Sequence, residues 1–103
     1  MPVYLLHSTI PVGGSGRAGA RHYLGYCRPG NLAARLEQHR KGRNTHGVVR
    51  AFLAAGGKLL VSRVWRDGDR ALERRLKLNG QIARKCPICN PRIPMELPPI
   101  PVT

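Results

Sequence analysis

The runs Val3-Tyr4-Leu5-Leu6 and His22-Tyr23-Leu24-Gly25-Tyr26 flank a glycine-rich stretch, and together they predict how the chain starts to fold. Short apolar and aromatic runs of this kind are typical of β-strands. Residues 10–20 between them contain Pro11 and four glycines, a composition that favours a loop. We therefore expect a β-hairpin with a long connection.

Two helices and a third strand are predicted after the hairpin. Asn31 is a good N-cap, and apolar residues at helical spacing follow it until Gly42, which predicts a helix over 32–41. The same spacing predicts a second helix over 46–55. Lys58–Arg66 is rich in Leu and Val, which favours a strand.

The C-terminal third contains the longest predicted helix and a proline-rich end. A broad apolar stripe predicts one amphipathic helix over 69–84. Six prolines between Pro87 and Pro101 exclude a helix or a central strand there. We expect one domain over residues 1–91 and a tail over 92–103 that lies extended on the surface or is disordered.

The charge balance indicates the kind of partner. Eighteen Lys and Arg against five Asp and Glu give a formal charge of +13 over 103 residues. A compact chain of this size must therefore carry a large positive surface, and a polyanion is the favoured partner.

The composition argues against membranes and export. No run of about 18 apolar residues is present, so a spanning helix is not expected. Met1–Ile10 lacks the basic start and long apolar stretch of a secretory signal. Three cysteines, an odd number, do not suit the disulfide framework of a secreted domain. We expect a cytoplasmic protein with no membrane contact.

Arg35 and His39 are the first candidate functional residues. They are four positions apart in a predicted helix and therefore share a face, beside Leu32 and Leu36. A guanidinium held at the edge of a buried stripe can clamp a phosphate with two hydrogen bonds. The alternative interpretation is an ordinary solvated helix face.

Glu73 is the candidate metal ligand, because it is the acid expected on the flank of a helix. Its alternative role is that of a first-turn acid, which the helix dipole favours and which pairs with Lys77 at i+4. Five acids in the chain make a two-metal nuclease site hard to build. One Mg²⁺, held by one carboxylate, waters and substrate phosphate oxygens, is feasible.

Taken in order, these pieces resemble the GIY-YIG nuclease family. The similarity covers the two half-motifs, the helix with Arg and His four apart, the helix with the metal-binding Glu, and an Asn after the last helix. The matching segments are Val3-Tyr4-Leu5, Tyr23-Leu24-Gly25, Asn31–His39, Ala71-Leu72-Glu73 and Cys86–Pro91.

The resemblance implies a fold and an activity. The implied fold is an α+β domain, with a three-stranded antiparallel sheet flanked by helices in the order β-β-α-α-β-α. The implied activity is metal-dependent endonuclease cleavage of phosphodiester bonds by in-line attack of water, with one Mg²⁺ or Mn²⁺. DNA is the expected substrate, RNA stays open, and a second copy of the chain or a partner protein is expected to supply specificity.

The resemblance also assigns roles to residues. Two phenols would face the cleft, with Tyr4 taking a proton from the attacking water, although a phenol with a pKa near ~10 needs nearby positive charge to do so. Arg35 would stabilise charge on the phosphate, His39 would contact phosphate or assist proton transfer, and Asn90 would fix the site, with Asn79 as its alternative. The implied catalytic residues are Tyr4, Tyr23, Arg35, His39, Glu73 and Asn90. The cations expected to contact nucleic acid are Arg28, Arg35, Arg40, Lys41 and Arg43.

Two other interpretations stay open from the residues alone. One is a basic nucleic-acid-binding module that keeps the fold without cleavage. The other is a zinc site built on Cys86 and Cys89, but it is not favoured, because no second close-spaced pair exists. Its other ligands would have to come from Cys27 and one of three histidines, namely His7, His22 or His46.

Overall fold

The N-terminal hairpin forms one edge strand and one central strand of a four-stranded antiparallel sheet in a computed structural model of the chain. The structure describes residues 2–13, 20–43, 45–78, 82–95 and 98–103. In chain order the elements are β1 (Val3–Val12), β2 (Ala20–Tyr26), α1 (Leu32–Lys41), α2 (Gly47–Ala54), β3 (Leu59–Trp65), α3 (Arg70–Leu78), the single turn α4 (Ile82–Lys85) and β4 (Ile100–Pro101). The order of strands across the sheet is β2-β1-β3-β4.

Strand β1 is longer than the sequence predicted. The predicted loop begins at residue 10, whereas β1 continues to Val12 and β2 begins at Ala20. From Val3 to Ser8 every residue of β1 is buried, because helices cover both faces of the sheet at this strand. A strand buried on both faces shows no alternation of polar and apolar residues, so the sequence pattern marks only its most apolar part.

Side chains of β1 alternate between two cores. Tyr4 and Leu6 point to the first face, where they pack with Val49 and Phe52 of α2 and with apolar residues of α1. Val3 and Leu5 point to the second face, which α3 covers. The period of two in a strand is the cause of this division.

The first two helices lie close to where the sequence predicted them. Helix α1 has the predicted bounds and ends at Gly42, whose φ of 71° is the left-handed conformation that favours glycine. Asn31 occupies the predicted N-cap position, but its side chain makes no capping hydrogen bond. Helix α2 instead has a capping side chain at His46, whose ring accepts a hydrogen bond from the Val48 N–H.

The predicted long helix over 69–84 is described as two segments, α3 and α4, on either side of residues 79–81. Those three residues, which include the alternative site residue Asn79, lie outside the described residues. Leu78 was expected in the apolar stripe of that helix, but it is 79% exposed, whereas Ile82 in α4 packs against the second-face core. Among the described residues of α3, Leu72 and Leu76 pack on the second face.

The chain end corrects the prediction of a surface tail over 92–103. Ile100–Pro101 forms β4 and pairs with β3, and Val102 is buried in the first-face core. The backbone N–H of Val102 donates to the Leu59 carbonyl over 2.8 Å, and the Leu59 N–H donates to Thr103 Oγ1 over 2.8 Å. Proline excludes a central strand but is tolerated in an edge strand, which is the position of β4.

The chain shows no membrane-crossing helix in the part that the structure describes, because its helices are too short or too polar for that.

Truncating Val102 tests the anchoring of the chain end. Val102 is 6% exposed and Ile100 is 39% exposed. We expect Val102→Ala to lower the free energy of unfolding by about 1–3 kcal/mol, since it leaves a cavity in the first-face core. The matched variant Ile100→Ala should cost about 0.5 kcal/mol or less. Urea denaturation measures both, and equal losses would contradict the buried position of Val102.

Candidate active site

The centre of the first face is a buried phenol–imidazole pair. Tyr4 in β1 and His39 in α1 are both 0% exposed, and Tyr4 Oη lies 2.6 Å from His39 Nε2. The other ring nitrogen of His39, Nδ1, is hydrogen-bonded to Thr45 Oγ1. His39 is thereby fixed at both nitrogens, and it joins the hairpin to the segment that follows α1.

Gly25 leaves the space that the Tyr4 ring occupies. The two residues are direct partners in the β1–β2 ladder. A Cβ atom at position 25 would lie 2.6 Å from Tyr4 Cζ and Oη, and 3.0 Å from Tyr23 Cε2. These distances are too short for a side chain, so glycine is required here for the two phenol rings to lie side by side.

Tyr23 lies beside the buried pair, nearer to solvent. Its half-buried ring is 5.5 Å from the His39 ring and 5.5 Å from the His46 ring, measured between centroids. His46 is exposed at the start of α2. The rings therefore form a row from the buried Tyr4 and His39 to the exposed His46.

Arg35 borders this row from α1. It is half-buried, and its Nη1 donates to Gln38 Oε1 over 2.8 Å. Leu32 and Leu36 of the same helix pack against the first-face core. Arg35 is thus held at the edge of that core, and its charge acts on both Tyr4 and His39.

Burial controls the protonation of the pair. It raises the pKa of Tyr4 well above the usual range, and the nearby Arg35 guanidinium opposes that rise only in part. Burial lowers the pKa of His39 to about 4, and the Arg35 charge acts in the same direction. At pH 7 the Tyr4 hydroxyl and the His39 imidazole are therefore both neutral.

The other two implied catalytic residues belong to elements that cover the second face. Glu73 in α3 has a side chain 14% exposed, and its Oε1 lies 3.1 Å from Lys77 Nζ. Asn90 follows α4; its Nδ2 donates to the Arg84 carbonyl over 2.9 Å, and its Oδ1 accepts from the Arg92 N–H over 3.1 Å. Four of the six implied catalytic residues therefore lie in one group on the first face. The contacts of Glu73 and Asn90 are made within the elements that cover the second face.

Four of the five predicted nucleic-acid-binding cations lie on or just after α1. Arg40 and Lys41 are exposed, and both pair with Glu37. Arg28 and Arg43 are exposed as well. Surface pairs of this kind contribute little to stability, so phosphate can replace the Glu37 carboxylate as a partner.

A separate group of four side chains lies on the second face. We call it the His/Cys cluster; its nitrogen and sulfur atoms all lie within 4.8 Å of one another, and its members are His7, His22, Cys86 and Cys89. Burial lowers the pKa of His22 to about 4 and also lowers that of His7, so both imidazoles are neutral at pH 7. Among the described residues, the His/Cys cluster is the group whose nitrogen and sulfur donor atoms suit a soft divalent metal.

Several supporting residues were not identified from the sequence. Thr45 holds His39, Gln38 holds Arg35, and His46 contacts Tyr23. Because Gln38 and His39 follow Arg35 on the predicted helix, helical spacing predicts that both side chains lie close to Arg35. Thr45 lies between two predicted helices and His46 at the first position of the second one, where spacing gives no orientation, and only the fold brings them to the site.

No protein-family model, curated protein or solved structure matches the chain. The candidate active site is accordingly defined by its own contacts. These are the Tyr4–His39 hydrogen bond, the Tyr23 ring beside it, and the Arg35 side chain at the edge of the core.

Gly25→Ala tests the close approach of the phenol. We expect a loss of about 1–3 kcal/mol in the free energy of unfolding, because the new Cβ displaces the Tyr4 ring. Gly47→Ala is the matched control: its Cβ would have only Arg50 Nη2 nearby, at 4.0 Å, and the change should stay within about 0.5 kcal/mol. Thermal and urea unfolding measure the difference, and equal effects would contradict the packing.

The pH dependence of stability tests the buried imidazole. The folded pKa of His39 is below the unfolded value, so its contribution is complete above pH 6.5 and is lost as the pH falls towards about 4. Between pH 7 and pH 4 the wild type should lose about 3 kcal/mol more than His39→Gln. The other buried imidazoles are present in both proteins, so their contributions cancel. Parallel stability–pH curves would contradict a buried neutral His39.

Proposed function

We propose that this chain is a metal-dependent endonuclease with a GIY-YIG-like fold, which hydrolyses phosphodiester bonds in DNA. The observation that carries the proposal is the contact between four side chains of the chemistry that phosphodiester hydrolysis uses. They come from β1, β2 and α1, and they are Tyr4, Tyr23, Arg35 and His39. A domain with a formal charge of +13 also suits a polyanionic substrate.

Arg35 has the features of a phosphate-binding residue. Its hydrogen bond to Gln38 and its half-buried position restrict its orientation, so less entropy is lost when it binds an anion. A guanidinium also donates two parallel hydrogen bonds to the non-bridging oxygens of a phosphodiester. Its role is to bind the scissile phosphate and to stabilise the negative charge that gathers there during attack by water.

The two phenols have different roles in this proposal. Tyr23 is half-buried and is the phenol that a bound strand contacts directly. Tyr4 is fully buried behind it, and its raised pKa makes it a poor base towards bulk water. Its hydrogen bond to neutral His39 instead lets the pair orient the site and hold a proton away from solvent.

Glu73 fits the metal in donor chemistry. The Glu37 carboxylate is engaged by two cations on the surface, and Asp69 accepts the Leu72 N–H at the start of α3 over 2.7 Å. Glu73 is also paired with a cation, Lys77, but its carboxylate is mostly buried, and a metal ion can take the place of the exposed Lys77. A single carboxylate suits Mg²⁺ or Mn²⁺, which keep water ligands and take substrate oxygens. Such an ion supplies positive charge against the leaving oxygen.

The edge of the sheet is where the two faces can serve one substrate. β2 is an outer strand, with Tyr23 on its first face and with α3 packed against it from the second. A nucleic-acid strand that follows this edge can meet Arg35 from α1 and Glu73 from α3. Over the central strands, the sheet itself separates side chains on its two faces, so they cannot contact the same substrate.

Cleavage of plasmid DNA tests the proposal. The purified chain should nick plasmid in Mg²⁺ or Mn²⁺ and not without a divalent ion. We expect Arg35→Ala and Glu73→Gln to lower the rate by about 100-fold or more, because each removes charge stabilisation in the transition state. Glu37→Gln makes the same chemical change as Glu73→Gln at an exposed acid, and it should leave cleavage at or above the wild-type rate.

A binding module without cleavage is the second candidate, and the full burial of Tyr4 and His39 favours it. That function predicts DNA binding whose affinity falls steeply as salt rises, with no product in any metal. It also predicts that Glu73→Gln binds like the wild type. Duplex, branched and single-stranded DNA and RNA, assayed for binding and cleavage together, separate the two candidates. Nicking that survives Glu73→Gln would contradict the proposed metal role.

A further inference from the structure

The His/Cys cluster has contacts that hydrogen bonding alone does not explain. One atom, His7 Nδ1, lies 3.2 Å from His22 Nε2, 3.7 Å from Cys86 Sγ and 3.5 Å from Cys89 Sγ. A neutral ring nitrogen has either one proton or one lone pair to offer, so it satisfies one such partner well. Three donor atoms that converge on a fourth are the arrangement expected around a central ion.

The separations agree with tetrahedral zinc coordination. With Zn–S near 2.3 Å and Zn–N near 2.0–2.1 Å, tetrahedral angles give about 3.3 Å between two nitrogens and about 3.6 Å between nitrogen and sulfur. The observed nitrogen–nitrogen distance is 3.2 Å. Three of the four nitrogen–sulfur distances are 3.3, 3.5 and 3.7 Å, and all pairs of donor atoms lie within 4.8 Å of one another. A metal would therefore require little movement of these side chains.

We propose that this cluster is a structural zinc site, separate from the group of Tyr4, Tyr23, Arg35 and His39 on the other face of the sheet. Four protein ligands fill a tetrahedral shell and leave no position for substrate, which is the arrangement of structural zinc. The ligands are His7 through Nδ1, His22 through Nε2, and Cys86 and Cys89 through their sulfurs. Both thiols lose their protons on binding, so two thiolates and Zn²⁺ form a neutral unit.

The fold assembles the ligands from three segments. His7 and His22 are direct partners across the β1–β2 ladder, so their rings lie on one face although the residues are 15 positions apart. Cys86 and Cys89 come from the turn after α4, where the Asn90 N–H donates to the Cys86 carbonyl over 2.8 Å. This hydrogen bond closes the turn and directs both sulfurs to the same side.

An outer partner and a suitable surrounding charge support the site. Ser62 Oγ lies 3.2 Å from Cys86 Sγ, and Ser62 is the extra residue of a β-bulge in β3. The Cys86 thiol donates to Ser62 Oγ, and the Ser62 hydroxyl donates to the Leu5 carbonyl over 3.4 Å. Once the thiol has lost its proton to the metal site, that hydroxyl can rotate and donate to the thiolate, as outer hydrogen bonds to metal ligands commonly do. Burial and the neighbouring Cys86 raise the pKa of Cys89, and the Arg21 charge, which also acts on His22, opposes that rise only in part.

The site would fasten the C-terminal turn to the hairpin. Cys86 is 0% exposed in the second-face core, where it packs with Leu5, Leu24 and Leu76. A metal at this point connects β1 and β2 with the turn that contains Asn90. The contacts of Asn90, which all lie in that turn or in the helix before it, then serve to shape the ligand turn.

Metal analysis of the untagged full chain, purified without chelator, tests the site. We expect inductively coupled plasma mass spectrometry to find about one zinc ion per chain. Cys89→Ala and His22→Ala should each bind much less. Cys27→Ala and His46→Ala are the matched controls, because they remove a cysteine and a histidine on the first face, and both should keep about one zinc.

Cobalt substitution keeps the test valid if an alanine variant fails to fold. The wild type with Co²⁺ should show the visible bands of tetrahedral cobalt together with thiolate-to-cobalt charge-transfer bands. Cys89→His retains four ligands, so it should keep the tetrahedral bands and lose about half of the charge-transfer intensity. Zinc and cobalt both failing to bind the wild type, a Cys86–Cys89 disulfide in the purified protein, or equal metal loss in the two control variants would overturn the proposal.

Discussion

The register between β1 and β2 is the constraint on which the rest of the structure depends. Side chains alternate between the faces of a strand, so a slip of one residue would exchange the two faces of β1. The observed register pairs Tyr4 with Gly25 and His7 with His22. The first pairing makes room for the phenol of the candidate active site, and the second brings two imidazoles together on the opposite face. One set of backbone hydrogen bonds thus positions two chemically distinct sites.

The two faces of the sheet accommodate charge in different ways. On the first face, Tyr4 and His39 are neutral and buried, and the positive charge of Arg35 stays at the edge of the core. A polyanion can therefore bind Arg35 at that edge, and no unpaired charge has to be buried in the core. On the second face, the proposed zinc site balances a dication with two thiolates. In both places the strongly basic chain keeps uncompensated charge out of its interior.

The sequence predicted the elements well where each has its own local pattern. The hairpin, α1 and α2 follow from apolar spacing and glycine stops, and the α+β class with an antiparallel sheet agrees with the structure. Arg35 and His39 could be paired from their spacing on α1. The burial of Tyr4 could not be predicted, because it depends on a glycine in the neighbouring strand. The zinc alternative was not favoured because the sequence contains no second close-spaced pair of ligands, and its expected partners were Cys27 and one histidine. His7 and His22 are distant in sequence and meet only through strand pairing.

The sequence by itself determined the order of the elements, the basic charge and the residue types available for chemistry, since these depend on composition and short-range spacing. The tertiary structure decided which of those residues meet. It extended β1, added β4 at an edge where proline is allowed, and left Leu78 in solvent. It also places His7 and His22, rather than Cys27 or His46, next to Cys86 and Cys89. The physical reason is that strand register and packing act between residues far apart in the chain, and local patterns contain no information about such distances.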